Sequence, residues 1–454
     1  MPIATIDPRN GQVVKTFEPH SDKEVEVRLA QAAETFARYR WTSFEERGRW
    51  MVTAAELLEG ELPDIAQVLT LEMGKTFAAA KGEVAKCAKA MRFYAEHAEH
   101  LLADVPVESS GSEAAVHWQP LGPVLAVMPW NFPLWQVVRF AAPALMAGNV
   151  GLLKHASNVP QTALLLEDVF RRAGFPEGCF TTLLVGSDAV AGLIADERVA
   201  AVTLTGSEAA GRAVGAAAGA ALKKCVLELG GSDPFIVCAS ADLERAATTA
   251  AQARVQNNGQ SCIAAKRFIV VDAVAEEFVG RFTTAMAALV VGDPFDPATD
   301  VGPLVSAAQR EEVASQVDDA RAHGVTVACG GTVPEGPGWY YPPTVVSGVT
   351  PAMRIATEEV FGPVAIVERV ADLDAAIAVA NDTSFGLGAS VWTNDPAERA
   401  QLVDQVEAGM VFVNAMVAST PELPFGGIKN SGYGRELSDL GIKEFCNAKA
   451  VFVA

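Results

Sequence analysis

The 454-residue sequence contains no C-x-x-C pair, and its seven cysteines, Cys87, Cys179, Cys225, Cys238, Cys262, Cys329 and Cys446, are odd in number. Both absences argue against a disulfide framework and a structural zinc site, and they fit a reducing, cytoplasmic setting. Cationic side chains are scarce: 35 Lys and Arg against 55 Asp and Glu leave a formal charge of −20. Such a surface repels polyanions, so neither nucleic acid nor an anionic membrane is expected as a partner. An anionic small molecule would need a local cation. No basic segment followed by an apolar run opens the chain, so no signal peptide is expected. One stretch, Trp118 to Val138, runs 21 residues without a charge, but Pro120, Pro123, Pro129 and Pro133 would break a membrane-spanning helix. It reads instead as buried strand, loop and helix start. Internal repeats and low-complexity tracts are also missing.

Half of the residues are hydrophobic, and a chain of this length divides into two or three domains rather than one core. Residues 22–57 and 61–100 have the apolar spacing of helices flanking a sheet. From 124 onward, short apolar runs at 124–128, 150–153, 181–185, 200–204 and 225–229 alternate with helical stretches at 134–147, 160–173, 187–195 and 208–222. That alternation predicts a parallel, doubly wound α/β sheet. The rhythm restarts after Gly230-Gly-Ser-Asp-Pro234, with strands expected near 235–238, 267–271, 325–329, 364–368, 388–392 and 410–413, so a second α/β domain follows. Residues 103–121 and the tail after 430 fit neither core. They read as exposed strands that complete a sheet, in this chain or in another subunit.

Four stretches carry chemistry-bearing residues. Gln256-Asn-Asn-Gly-Gln-Ser-Cys-Ile263 offers the Cys262 thiol within a polar turn, where backbone N–H groups lower a thiol pKa and Gly259 permits close approach; alone, such a cysteine is more often a small buried hydrophobe. Pro129-Trp-Asn-Phe-Pro133 follows a strand, so the Asn131 amide sits at a strand's C-terminal end, as an oxyanion donor or as a turn residue. Glu228, at the end of the run Val226–Leu229, is flanked by apolar residues that raise a carboxyl pKa towards that of a general base, unless its side chain reaches water. Gly206-Ser-Glu-Ala-Ala-Gly211 opens a helix after a strand, a weak phosphate-binding signal without the usual G-x-G-x-x-G spacing.

Taken with Glu358-Glu-Val-Phe-Gly-Pro363 and Pro424-Phe-Gly-Gly427, these motifs, in this order and at these separations, closely resemble the NAD(P)-dependent aldehyde dehydrogenase superfamily over essentially the whole chain. Leu153-Lys-His-Ala-Ser-Asn158 and the short length are most similar to compact bacterial succinate-semialdehyde dehydrogenases. The resemblance implies two doubly wound parallel-sheet domains plus a small oligomerisation β-extension. The cofactor-binding domain would comprise residues 1–102 and 122–229, the catalytic domain 230–429, and the oligomerisation segment 103–121 and 430–454, in a homodimer or homotetramer.

The same resemblance assigns roles. Cys262 attacks the aldehyde carbon to give a thiohemiacetal whose oxyanion is held by Asn131 and the Cys262 N–H. Hydride passes to the nicotinamide, and Glu228 activates the water that hydrolyses the resulting thioester. Lys154 would contact the adenosine ribose, Gly206, Ser207 and Gly211 the pyrophosphate region, and Trp130, Glu359 and Phe361 the nicotinamide side. Ser157 stands where many NAD-using relatives carry a glutamate, and a hydroxyl beside Lys154 accepts a 2′-phosphate that a carboxylate would repel, which favours NADP over NAD. His155 replaces a more usual proline and is given no catalytic role. No metal is implied. Trp135 and Arg139, one helical turn apart, would with Ser261 and Ser419 line the pocket for a small aldehyde carrying a carboxylate, with Arg139 either binding that carboxylate or held in a structural ion pair. The resemblance therefore implies oxidation of succinate semialdehyde to succinate, with a broader-specificity aldehyde dehydrogenase as the alternative. A cysteine hydrolase would need a histidine partner, and none of His20, His97, His100, His117, His155 and His323 lies in a matching motif. A non-catalytic relative would be expected to have lost Cys262 or Glu228.

Overall fold

The computed structural model describes residues 3–454. Local signals in the sequence set its first elements. Ser21 with Glu24, and Ser43 with Glu46, form capping boxes that open the helices Asp22–Tyr39 and Phe44–Gly60. The region 61–100 divides into Leu62–Met73 and Phe77–Leu101 around Gly74, whose φ of +83° stops the first helix. The second of these is more than a surface helix, because it buries Val84, Cys87, Met91 and Tyr94. Before them lies an antiparallel hairpin, Ile3–Asp7 with Gln12–Phe17, which the apolar periodicity does not announce.

The first large sheet has the spatial order Gly432–Tyr433, Lys224–Glu228, Ala201–Thr205, Pro123–Met128, Val150–His155 and Phe180–Thr182. All neighbours are parallel except the added strand Gly432–Tyr433. From Pro123–Met128 the chain winds outward first through 150–155 and 180–182, then returns to build 201–205 and 224–228 on the other side. This reversal opens a crevice at the C-terminal ends of 123–128 and 201–205, where Asn131 and Gly206-Ser207 emerge. Every side chain of the helix Trp135–Met146 is buried, and a helix enclosed on all sides has little place for charge.

The second large sheet runs Thr326–Cys329, Thr344–Ser347, Val364–Val370, Arg267–Val271, Pro234–Val237, Gly388–Trp392 and Met410–Val413, parallel except for the first pair. The strand Thr344–Ser347 is not among those expected from the sequence: only Val345 and Val346 of its four residues are apolar, so no apolar run marks it. A third sheet pairs Cys446–Val453 with Glu113–Pro120, and the latter with Val105–Pro106; it exposes Phe452, Val451 and Val453. The tail after 430 does not lie wholly in this extension: Gly432–Tyr433 joins the first sheet, and the helix Ser438–Lys443 contacts the helices Phe77–Leu101 and Trp135–Met146.

Candidate active site

The site forms where the C-terminal edge of the first sheet meets the N-terminal edge of the second. Three consecutive residues shape the turn that leads to Cys262. Asn257, Asn258 and Gly259 are all left-handed, with φ of 55°, 59° and 76°, a conformation that asparagine tolerates better than most side chains. Asn257 Nδ2 donates to the carbonyls of Asn131 at 2.7 Å and Gln260 at 2.9 Å, and Asn258 Nδ2 donates to those of Gly74 and Pro303. At Gly259 even a Cβ would lie 2.4 Å from the Gly362 carbonyl carbon, so only glycine fits. Two buried cations complete the loop. Arg254 donates to the carbonyls of Gly259 and Ala265, and Lys266 Nζ donates to those of Ser261 at 2.9 Å and Cys262 at 2.7 Å.

Asn131 is buried, and its Nδ2 donates to Gln260 O at 3.2 Å while its Oδ1 has no partner among the described residues. The amide therefore keeps a second N–H for a ligand. Its loop is pinned from two sides. His155 lies between the two ends of the loop, with Nε2 2.9 Å from Pro133 O and Nδ1 3.2 Å from Met128 O; burial lowers its pKa to about 4, so it stays neutral. Glu83 accepts from Leu134 N and Trp135 N, both at 2.9 Å, at the start of the next helix, and it pairs with the buried Lys75. His155 thus holds the far end of the Asn131 loop, and Glu83 the helix that follows.

Electrostatics correct one expectation. Burial pushes the Cys262 thiol up to about 12, against the opposing pull of Arg139 and Lys266, so desolvation outweighs the turn's N–H groups and the resting group is a thiol. Glu228, which is buried where Cys262 is only partly so, has its pKa raised well above the ordinary carboxyl value by desolvation and then by Glu436, and neither of its oxygens has a partner among the described residues. Of the two readings of Arg139, the ion-pair reading has a partner in place: its Nε pairs with Glu436, both side chains being buried, and its guanidinium lies 4.2 Å from the Phe425 ring centre.

Cys262, Asn131, Trp130, Gly206, Ser207, Glu359 and Phe361 line one cavity of about 260 Å³, together with Thr205, Leu229, Gly230 and Gln309. Glu228 is not in that lining but flanks it, ending its strand opposite Thr205 and just before Leu229. A larger cavity, about 530 Å³ between Lys23 and Thr181, contains none of the candidate residues, so chemistry rather than size marks the site. Glu359 Oε1 accepts from Gly231 N at 3.2 Å and lies 3.0 Å from Lys266 Nζ, while Phe361 meets Trp130 edge to face at 5.7 Å. Lys154 and Ser157 lie outside the lining as well. Lys154 is 8% exposed and forms no ion pair among the described residues; burial lowers its pKa. Ser157 follows three residues on, its carbonyl accepting from Ala4 N and its hydroxyl without a hydrogen bond among the described residues. Gly211 is buried inside the helix Glu208–Ala220 and is not in the lining itself; a Cβ there would lie 2.6 Å from Leu229, which is, so the glycine lets the helix pack closely behind that wall.

Residues 1–451 match the aldehyde dehydrogenase family. The chain belongs to that family. It is 61% identical, over all of its length and 97% of the relative's, to a succinate-semialdehyde dehydrogenase (NADP+) of Mycobacterium avium (strain 104). Over the full length of both chains it is 60% identical to succinate-semialdehyde dehydrogenase (NADP+) 1 of Mycobacterium tuberculosis (strain ATCC 25618 / H37Rv). The succinic semialdehyde dehydrogenase of Streptococcus pyogenes, solved with NADP+ as the cofactor, superposes with a TM-score of 0.97 at 38% identity, each chain covered to 99%.

In this aldehyde dehydrogenase the remaining pocket candidates fall into two groups. Trp135 Nε1 donates to Ser419 Oγ at 3.0 Å, so these two residues meet. Ser261 is fully buried and its hydroxyl has no partner among the described residues. Sequence reasoning missed Lys266, Glu436, Gln309 and Lys86. Lys266 follows Cys262 by four residues, and its separation from Glu359 hides the link between them. Lys86 lies on a helix far from every motif, yet its Nζ donates to Ser419 Oγ at 2.7 Å and sits 4.1 Å from the Trp135 ring centre.

Proposed function

We propose that this aldehyde dehydrogenase oxidises succinate semialdehyde to succinate with NADP as the acceptor. The observation that carries the reading is the shared cavity in which the Cys262 thiol, the Asn131 amide and the side chains of Glu359 and Phe361 converge. The relatives' substrate and cofactor, at about 60% identity over whole chains, support it.

In this reading Cys262 reacts as the thiolate, its proton having passed to solvent, and Sγ bonds to the aldehyde carbon. The carbonyl oxygen becomes an oxyanion within reach of Asn131 Nδ2–H and the Cys262 N–H, which has no backbone partner among the described residues. Lys154, Ser157, Gly206 and Ser207 would hold the adenosine and phosphate portions of the cofactor, and Trp130, Glu359 and Phe361 its nicotinamide end. The residues fit the group: Lys154 is a buried ammonium without an ion pair among the described residues, and Ser157 adds an uncommitted hydroxyl. When bound, the cofactor supplies the hydride acceptor. The protein is left with a thioester on Cys262, Glu228 takes a proton from the attacking water, and the acid leaves as the thiol is restored.

Residues 1–102 and 122–229 serve as the cofactor-binding domain, 230–429 as the catalytic domain, and 103–121 with 430–454 as the oligomerisation segment of a homodimer or homotetramer, except that Gly432–Tyr433 and Ser438–Lys443 pack with the first domain. The exposed apolar side chains of Cys446–Val453 support that last assignment. A cytoplasmic location fits the seven free cysteines. A panel of aldehydes measured against NADP and NAD tests the proposal: succinate semialdehyde with NADP should give the highest kcat/KM, and a higher value for an uncharged aldehyde would overturn the substrate assignment.

A further inference from the structure

We infer that Glu72 is a positioning residue for cofactor choice: with Thr5 of the N-terminal hairpin, it fixes the turn that presents the Ser157 hydroxyl to the 2′-phosphate of NADP. This inference rests on the cofactor reading above and names what holds that hydroxyl in place. The turn 156–159 joins the strand Val150–His155 to the helix Pro160–Arg172. Nothing within the turn caps that helix, because Val159 at its cap position has no side-chain oxygen. A side chain from another helix does so: Glu72, near the end of Leu62–Met73. Its Oε1 accepts from Gln161 N at 2.9 Å and Thr5 Oγ1 at 2.8 Å, and its Oε2 from Thr162 N at 3.1 Å and Thr162 Oγ1 at 2.7 Å. The side chain is buried, and a carboxylate at this end of a helix is favoured by the helix dipole.

The hairpin completes the grip. Thr5 Oγ1 also accepts from Gln161 Nε2 at 2.9 Å, and Ala4 N donates to the Ser157 carbonyl at 3.0 Å. The strand Ile3–Asp7 therefore touches the chain at Ser157 itself and again just beyond the turn. Before the turn, the His155 ring lies against the Met128 and Pro133 carbonyls. A four-residue turn held on both sides has little freedom, which is what a single hydroxyl needs if it is to meet a phosphate oxygen at bonding distance. The grip depends on the carboxylate in particular. Each Glu72 oxygen faces a backbone N–H, so in Glu72→Gln the new NH2 would oppose a backbone donor in either orientation of the amide. The side chain's volume would barely change, yet the helix start and the turn before it would have to shift.

The test measures binding without turnover. Adenosine 2′,5′-bisphosphate is compared with AMP, which lacks only the 2′-phosphate, by calorimetric titration of wild type, Ser157→Ala, Glu72→Gln and the double variant, with folding checked by circular dichroism. Burial raises the Glu72 pKa to about 7 against its four donors, so the titrations are run at about pH 8, where the carboxylate prevails. Glu72→Gln should weaken the bisphosphate about 10-fold while AMP changes less than about threefold. Because Glu72 acts through Ser157, adding Glu72→Gln to Ser157→Ala should weaken the bisphosphate by less than about twofold more. Thr5→Val removes one donor, leaves the carboxylate and should show a smaller loss of the same kind. In Glu72→Gln, or in Thr5→Val where the former does not fold, equal losses on both nucleotides or no loss would overturn the positioning role and leave the cofactor reading intact, as would additive losses in the double variant. Wild type that binds the bisphosphate no more tightly than AMP, or a Ser157→Ala enzyme that binds it as wild type does, would overturn the cofactor reading and the inference with it.

Discussion

Lys266 Nζ lies 3.0 Å from Glu359 Oε1 while donating to the Cys262 carbonyl at 2.7 Å. One ammonium thereby ties the Cys262 backbone to the Glu359 carboxylate across the cavity that both residues line.

Removing that tie should affect cofactor binding and chemistry together. Lys266→Met loses charged hydrogen bonds worth about 1.5–3 kcal/mol each in favourable settings. The expected result is a kcat lower by roughly 10-fold or more with a higher cofactor KM, read by steady-state kinetics and cofactor titration. A change in thermal stability with both kinetic constants unchanged would reduce Lys266 to a packing role.

Cofactor choice is attributed to Ser157. Ser157→Glu places a carboxylate that accepts from ribose hydroxyls and repels a 2′-phosphate, so the ratio of kcat/KM for NADP to that for NAD should fall by about 10-fold or more, chiefly through cofactor KM. A ratio that does not move would contradict the role given to Ser157 and Lys154.

The raised pKa values of Glu228 and Cys262 predict the pH profile. Glu228 can accept a proton only when ionised, Cys262 can attack only as the thiolate, and burial raises both groups. The rate with an uncharged aldehyde should therefore rise with pH across the neutral and mildly alkaline range. Measuring kcat/KM with an uncharged aldehyde from about pH 6 to about pH 10 checks the sign: a rate that falls across that range would contradict the roles given to both groups.

The sheets are legible in the sequence because strands such as Pro234–Val237, buried at every residue, must be continuous apolar runs. The motif residues Cys262, Asn131, Glu359 and Phe361 are legible because each sits in a short Gly- or Pro-marked loop, and these loops line one cavity. Longer-range partnerships are not. Glu436 meets Arg139 from the far end of the chain, and Lys86 reaches Ser419 across 333 residues; no local pattern encodes either meeting. The state of Cys262 departs from the local expectation for a related reason: the turn's N–H groups are local, whereas the burial that raises its pKa comes from the packed surroundings of the whole site.

The most direct test of the central claim is a rapid-mixing measurement of reduced cofactor formed from succinate semialdehyde and NADP by wild type, Cys262→Ser and Glu228→Gln. The account predicts steady turnover in wild type, no product from Cys262→Ser despite retained cofactor binding, and one stoichiometric burst followed by a stall in Glu228→Gln, with the acyl group recoverable on Cys262. Steady turnover by Cys262→Ser at about a tenth of the wild-type rate, or a Glu228→Gln enzyme that turns over without a burst, would contradict it.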